Sequence, residues 1–231
     1  MKINILSWNI WCDCYFDKVA DFLNATDADI IGLQEVALDD PGRDVVTVLK
    51  KRGYGHVLAP SAEFTDDKNV HHKLNNAIFS KFPIVGSKPH KLRDDGKRSI
   101  IEAQIDVNGK ILTIFSIHLK HAHLQPLKMQ DEQAETLQKL LPPKLGIVMG
   151  DFNALPESYP IQLMKQKYMN TDPSHAPTWS MYPEGCEVCK PQKLDACLDY
   201  IFVSPDLEFE SAKVEMSKGS DHLPISVSVR V

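Results

Sequence analysis

Two segments, DADIIGLQEV at residues 27–36 and KLGIVMGDFN at residues 144–153, are short, continuously apolar, and stop on carboxylates and amides. An apolar run of that length without alternation suits a strand buried on both faces, and such strands belong to sheets covered by helices. Amphipathic segments lie close to both. FDKVADFLNAT (16–26) sets Val19, Phe22 and Leu23 on one helical face, and DVVTVLKKRGY (44–54) is a helix closed by Gly53. LKMQDEQAETLQKLL (127–141) predicts a helix stopped by Pro142 and Pro143, and PIQLMKQKYM (160–169) predicts another.

Between Tyr54 and His118 the texture changes to strands split by turns: NNAIFSKFPIV, SIIEAQIDVNGK and KILTIFSIHL. Asn108-Gly109 between two alternating runs is the strongest short hairpin signal. The polar stretch FTDDKNVHHKLN (64–75) reads as an exposed loop. KINILSWNIW opens the chain as a strand ending near Asn9, and CLDYIFVS, LEFESAKVEM and LPISVSVRV close it as strands. With neither repeats nor low-complexity linkers, the expectation is an α/β fold, a single domain over residues 1–231 with a mixed sheet system and helices outside.

At 231 residues the chain needs no disulfide or metal to fold, since a domain of this size buries roughly 70–75% of its unfolded surface. A net charge of −5 argues against a broadly basic nucleic-acid coat but leaves room for a local cationic cleft. The opening residues read as a strand rather than a signal peptide, and no apolar stretch is long enough for a membrane helix. Cytoplasmic location, no stable membrane association and a monomer are the corresponding expectations.

The five cysteines, Cys12, Cys14, Cys186, Cys189 and Cys197, argue by their odd number against a disulfide framework. Cys186 and Cys189 form a C-x-x-C pair, with Cys197 eight residues on and no second pair. A zinc knuckle would need a fourth ligand, with His175 as the candidate, so reduced loop thiols are the preferred reading and structural zinc the alternative. His71, His72, His121 and His123 read as solvated loop histidines near a cleft. Trp8, Trp11 and Trp179 read as core or rim packing, with base stacking as the alternative.

The strand endings carry the chemistry. Asn9 ends SWN, Glu35 ends LQE, His118 ends SIH, and Asp151 with Asn153 ends GDFN; Asp199 lies inside LDY, and Asp221-His222 precedes the last strand. Ligands of layered α/β proteins gather at strand ends. Acids, amides and imidazoles there suit a hard divalent cation and a phosphate. An internal Asp199 needs a partner, since an unpaired buried carboxylate costs several kcal/mol, and His222 is the candidate.

The ordered set SWNI, LQEV, SIHL, GDFN, LDYIFVS and SDHLPI resembles the endonuclease/exonuclease/phosphatase superfamily, from Ser7 to Ile225. Each motif is weak alone; six in order are specific. The resemblance implies a four-layer α/β/β/α sandwich with two facing mixed sheets and metal-dependent phosphoester hydrolysis at one edge. It implies Mg²⁺, with Mn²⁺ as substitute, held by Glu35 and Asn9 with Asp221 contributing. Asp151 and Asn153 would position and polarise water. His118 would contact the phosphate and protonate the leaving oxygen, and Asp199 would orient His222 toward the phosphoryl group. Arg98 resembles the basic residue that many relatives carry on the strand before the HL strand; a solvated hairpin residue is the equal alternative. The relatives' HL…R..Q pattern is half kept, with Gln133 in place but Gln130 where Arg is frequent. A phosphodiesterase acting on nucleic acid is the leading expectation. The alternative is a phosphatase or phospholipase C-type enzyme acting on inositol phosphate or sphingomyelin-like head groups.

Overall fold

The computed structural model describes residues 1–38, 42–65, 69, 71–93 and 98–231. β1 (Lys2–Asn9) shows why the sheets are covered twice: alternate side chains turn to opposite faces, and both faces are apolar. Ile3 and Ile5 point to one core, Leu6 and Trp8 to another.

After β1, α1 (Phe16–Ala25) crosses over and β2 (Ile30–Ala37) pairs with β1 in parallel. α2 (Val45–Lys51) follows, its N-terminus capped by Asp44 accepting from the Thr47 amide. β3 (Gly55–Thr65) and β4 (His71–Ser80) form an antiparallel hairpin whose second strand joins β2. The chain then changes sheet. β5 (Ile84–Lys91), β6 (Ser99–Val107) and β7 (Lys110–His118) form an antiparallel meander. Asn108 and Gly109 turn the β6–β7 hairpin with φ of 54° and 88°, the primed geometry that their sequence predicts.

α3 (Lys128–Leu140) leads to β8 (Gly146–Asp151), parallel to β7, and α4 (Tyr159–Lys165) leads to β9 (Met169–Asn170) and β10 (Asp199–Val203). β11 (Glu208–Phe209), β12 (Lys213–Val214) and β13 (Ile225–Arg230) return to the first sheet. The seven-stranded sheet runs β11-β13-β1-β2-β4-β3 with β12 beside β13; the six-stranded sheet runs β5-β6-β7-β8-β10-β9.

The sheets face each other across a core that includes Ile5, Ile78, Ile105, Ile114, Met149 and Val227. Leu23 and Leu49, from the α1–α2 layer, pack on the outer face of the first sheet, and Leu137 and Ile161, from the α3–α4 layer, pack on the second. The four-layer sandwich expected from the sequence is the fold observed. Buried polar contacts tie the sheets together, with Gln34 Nε2 donating to Ser116 Oγ at 3.0 Å and Asn76 Nδ2 donating to the Ser99 carbonyl at 2.8 Å.

Two local expectations need correction. His71–Asn75 belong to β4 rather than to an exposed loop, because a preceding strand, β3, pairs with them; positions 66–68 and 70 of that stretch lie outside the described residues. β3 itself has weak alternation and a proline, so local pattern does not mark it as a strand. LEFESAKVEM forms two short strands on β13, not one.

At the site end of β8, Gly150 adopts φ 146°, and a Cβ there would lie 2.1 Å from the Ile117 carbonyl oxygen. Only glycine permits that backbone and that approach. Gly150→Ala is therefore expected to destabilise the fold by about 1–3 kcal/mol, read as a lower urea midpoint. An unchanged midpoint would mean that β7 and β8 can separate there without penalty.

Candidate active site

Strand register assembles half of the site before any loop is considered. His118 on β7 pairs with Asp151 on β8, and Asp151 pairs with Asp199 at the start of β10. Three adjacent strands thus present an imidazole and two carboxylates in one row. Asp199 is a strand end, not an internal residue as its sequence position suggested.

The first sheet supplies the other half. Asn9 ends β1. In β2 the ladder to β4 slips between Leu33 and Val36, and Glu35 takes a left-handed φ of 59°. Such a bulge re-aims a side chain. It sends Glu35 to the same edge, where Asn9 Nδ2 donates to Glu35 Oε1 at 3.3 Å and to Asp151 Oδ2 at 3.0 Å. That second bond joins the two sheets at the site.

His222 is held from all sides. Its carbonyl accepts from Trp8 Nε1 at 2.9 Å, and its amide donates to Ser220 Oγ. Ser220 Oγ in turn donates to the Asn9 carbonyl at 2.7 Å. The ring places Nδ1 2.8 Å from Asp199 Oδ2 and Nε2 3.7 Å from Asp151 Oδ2. Asp199 is positioned by Thr178, whose Oγ1 accepts from its backbone amide. Asp221 accepts from Trp179 Nε1 at 2.9 Å and lines the same cleft.

The environment sorts the titratable groups. Burial alone would depress His222, but Asp199, Asp151 and Asp221 overcome it and hold the ring well above the ordinary imidazole range. His118 goes the other way, held well below by burial and by the nearby Arg98 and His222. Burial pushes Asp151 up to about 7 and Asp221 up to about 6, with Asp199 and Glu35 respectively adding to the effect and His222 opposing it. Four acids around one shared edge leave negative charge that a cation would neutralise. The oxygens of Glu35, Asp151 and Asp221 are the hard donors that a divalent ion of the Mg²⁺ class takes, so the carboxylates present fit such an ion. Asn9 instead turns its Nδ2 to Glu35 and Asp151, and its Oδ1 accepts from the Trp11 amide.

Asn153 stands at φ 49° just past β8, its amide donating to Asp151 Oδ1 at 2.7 Å and its Nδ2 to Asp151 Oδ2 at 3.1 Å. Arg98 is neither solvated nor on an open hairpin. It is 8% exposed, lines the cleft, and donates to the carbonyls of His118 and Leu119. Gln130, at the position where Arg is frequent in the resembling family, is buried and makes a scaffold contact of its own, its Nε2 reaching the carbonyls of Lys120, Phe152 and Asn153. Gln133 accepts from the Lys120 amide.

The cleft holds about 460 Å³ and includes residues not foreseen for it. Cys12 Sγ donates to Glu35 Oε2 at 3.2 Å. Trp179 anchors Asp221 from a proline-rich loop that carries no recognisable pattern. Trp8 is core, while half-buried Trp11 stacks on Tyr182 at 5.8 Å beside the cleft. His121 and His123 line the cleft, His121 half-buried and His123 exposed, while His175 lies apart, beside Asn170 and Lys165, and Cys197 is buried beside Asp199.

The family model described as the Endonuclease/Exonuclease/phosphatase family matches residues 6–222. The chain belongs to that family. Its members are phosphoester hydrolases, and this chain is one. Among solved structures, the endonuclease/exonuclease/phosphatase from Beutenbergia cavernae is 19% identical with a TM-score of 0.83, covering 100% of this chain and 72% of the other. The mannosyl-6-phosphatase of Bacteroides thetaiotaomicron is 18% identical, TM-score 0.71, with 99% and 100% covered. The 3′ phosphatase NExo from Neisseria, bound to product DNA hairpin, is 18% identical, TM-score 0.72, with 97% and 98% covered. No curated protein matches the sequence. The family model carries the membership, and the solved structures share the fold.

Removing the Gln130 amide would leave three carbonyls around the His118 and Asn153 strand ends without their donor. Gln130→Ala is expected to cost about 1–3 kcal/mol in thermal or urea unfolding. A loss below the measurement error would show that those loops do not depend on it.

Proposed function

We propose that this cleft hydrolyses phosphodiesters with Mg²⁺, or Mn²⁺ in its place, and that its substrate is nucleic acid. The observation that carries the reaction class is the buried row His118, Asp151 and Asp199 facing His222, Asn9 and Glu35 across the joint of the sheets. Glu35 and Asp221 would hold the ion, with Asn9 beside them orienting Glu35 and Asp151 through its Nδ2 rather than serving as the ligand that the sequence suggested. Bound there, it would supply Lewis-acid stabilisation of the charge that grows on phosphoryl oxygen.

The side chains divide the remaining work. Asp151, with a raised pKa and both oxygens fixed by Asn153 and Asn9, is placed to orient water and take its proton. His222, protonated and aligned by Asp199, donates to the phosphoryl group. His118, held neutral, serves as a hydrogen-bond donor to phosphate rather than as the proton source for the leaving oxygen, so that task moves to His222. Arg98 braces the strand end that carries His118 and adds positive potential to the cleft.

For the substrate, the aromatic group beside the cleft favours nucleic acid. Trp11, Tyr15 and Tyr182 pack within 6.0 Å of one another, with Lys18 over the Tyr15 ring, a surface on which bases stack. A neighbour of this fold acts on DNA. One observation favours a smaller phosphoester, such as a sugar phosphate: no lysine is among the residues described as lining the cleft, and Arg98 is its sole arginine. No helix of the described residues is long and apolar enough to cross a membrane, and nothing favours a lipid head group over these.

Glu35→Gln, Asp151→Asn and His222→Ala are each expected to lower turnover of a bis-aryl phosphodiester at least about 100-fold with the fold retained. Near-wild-type rates in any one would count against these roles. Stripping divalent ions should abolish activity and added Mg²⁺ restore it. A panel of single- and double-stranded DNA, RNA, sugar phosphates and inositol phosphates assigns the substrate. Release from the sugar phosphates alone would overturn the nucleic-acid reading.

A further inference from the structure

Outside the acidic cluster, the cleft wall carries a second and chemically different group. His121, His123, Cys186 and Cys189 each offer one ligand atom, and the four atoms lie within 4.8 Å of one another. His121 and His123 come from the connection between β7 and α3, and the cysteines from the long connection between β9 and β10. We propose that these four side chains form a tetrahedral zinc-class site that pins the second connection to the first.

The distances match that geometry. Zinc bonds of about 2.3 Å to sulfur and about 2.0–2.1 Å to nitrogen place tetrahedral sulfur and nitrogen ligands roughly 3.6 Å apart. His123 Nδ1 lies 3.4 Å from Cys186 Sγ and 3.8 Å from Cys189 Sγ, and His121 Nε2 lies 3.7 Å from Cys186 Sγ. The rings stand 4.4 Å apart at 86°, an arrangement that aims two nitrogens at one point rather than stacking them.

Local backbone explains why H-x-H and C-x-x-C converge. His121 and His123 are alternate residues, the spacing that puts two side chains on one face of an extended chain, and the backbone turns directly after them, with positive φ of 49° at His123 and 59° at Leu124. In the cysteine pair the Cys189 amide donates to Cys186 Sγ at 3.0 Å, and the Lys190 amide closes the turn on the Cys186 carbonyl. An amide donor to sulfur stabilises thiolate, the form that binds metal.

An outer contact completes the pattern. His121 uses Nε2 toward the sulfur and leaves Nδ1 2.7 Å from Asn153 Oδ1. Metal-bound histidines characteristically donate their other N–H to such an oxygen, which fixes tautomer and ring. Here the oxygen belongs to Asn153, whose amide nitrogens hold Asp151. The proposed site is therefore one residue removed from the catalytic carboxylate.

The loop that it would pin is tied mainly near its two ends. Within residues 171–198 Trp179 bridges to Ala196 and to His222, one short 3-10 turn spans Pro183–Gly185, and a small satellite core joins Trp179, Cys186, Ala196 and Leu198. A segment of that length with so few apolar anchors is a place where a crosslink contributes most. It also carries Trp179 and Thr178, which position Asp221 and Asp199. Thiolate and imidazole donors select zinc, whereas the oxygen donors of the acidic cluster select the Mg²⁺ class, so one cleft would hold two ions of different kinds.

The test uses the full chain, purified in a non-coordinating reductant. Elemental analysis after removal of loosely held ions should find one zinc per chain. Replacing zinc with Co²⁺ should produce thiolate-to-cobalt charge-transfer absorption and the intense visible bands of a tetrahedral ion. Cys186→Ser/Cys189→Ser should lose both zinc and bands, while Glu35→Gln keeps them. Trypsin should cut after Lys193 faster once zinc is stripped, with Mg²⁺ restored. The proposal fails if folded, reduced wild-type protein binds Co²⁺ without thiolate bands, or if zinc persists in the cysteine variant. Should that variant not fold, the wild-type cobalt spectrum alone decides.

Discussion

His222 has its ring between Asp199 and Asp151, at 2.8 and 3.7 Å, where all three side chains are nearly excluded from water. Charge in such a place survives only when its partners are fixed at short range, because each ion has given up hydration worth several kcal/mol. The rest of the molecule can be understood as what holds that arrangement in register. Trp8 and Ser220 fix the backbone of His222, Thr178 fixes Asp199, and Asn9 ties Asp151 to the first sheet. Sheet pairing does the coarse alignment, since His118, Asp151 and Asp199 are direct partners across neighbouring strands.

That division explains how much was legible in the sequence. The apolar runs of β1, β2 and β8, the α1 and α3 faces and the Asn108-Gly109 turn each follow from local pattern, and each is found in the fold. The polar residues at strand ends were legible because chemistry at a sheet edge requires them to interrupt apolar runs. β3 was not, since its pattern is irregular and its pairing with β4 is decided by tertiary contact. The bulge that re-aims Glu35 was also invisible: the letters LQEV look the same in a regular strand. Arg98 could be placed near the site but not in its role, because only the folded chain shows its guanidinium turned onto the carbonyls of His118 and Leu119.

The cysteine pair shows the limit most clearly. C-x-x-C marks a ligand pair, yet its partners lie more than sixty residues earlier in a segment that reads as an ordinary polar connection. His175, near in sequence, is elsewhere in space, beside Asn170. Long-range convergence of two irregular loops has no signature in either one. In this fold His121 meets Asn153, whose amide holds Asp151, so the proposed soft-ligand site and the acidic edge share a residue.

The proposed chemistry requires His222 and Asp199 to act as one unit with the charge of that edge. The most direct measurement is a double-mutant cycle on kcat/KM for a bis-aryl phosphodiester, using Asp199→Asn, His222→Ala and the pair. Residues that act together are strongly non-additive. The double variant should then be no slower than His222→Ala alone. Losses that simply multiply would mean that the two side chains serve separate functions and that the buried pair does not organise the site.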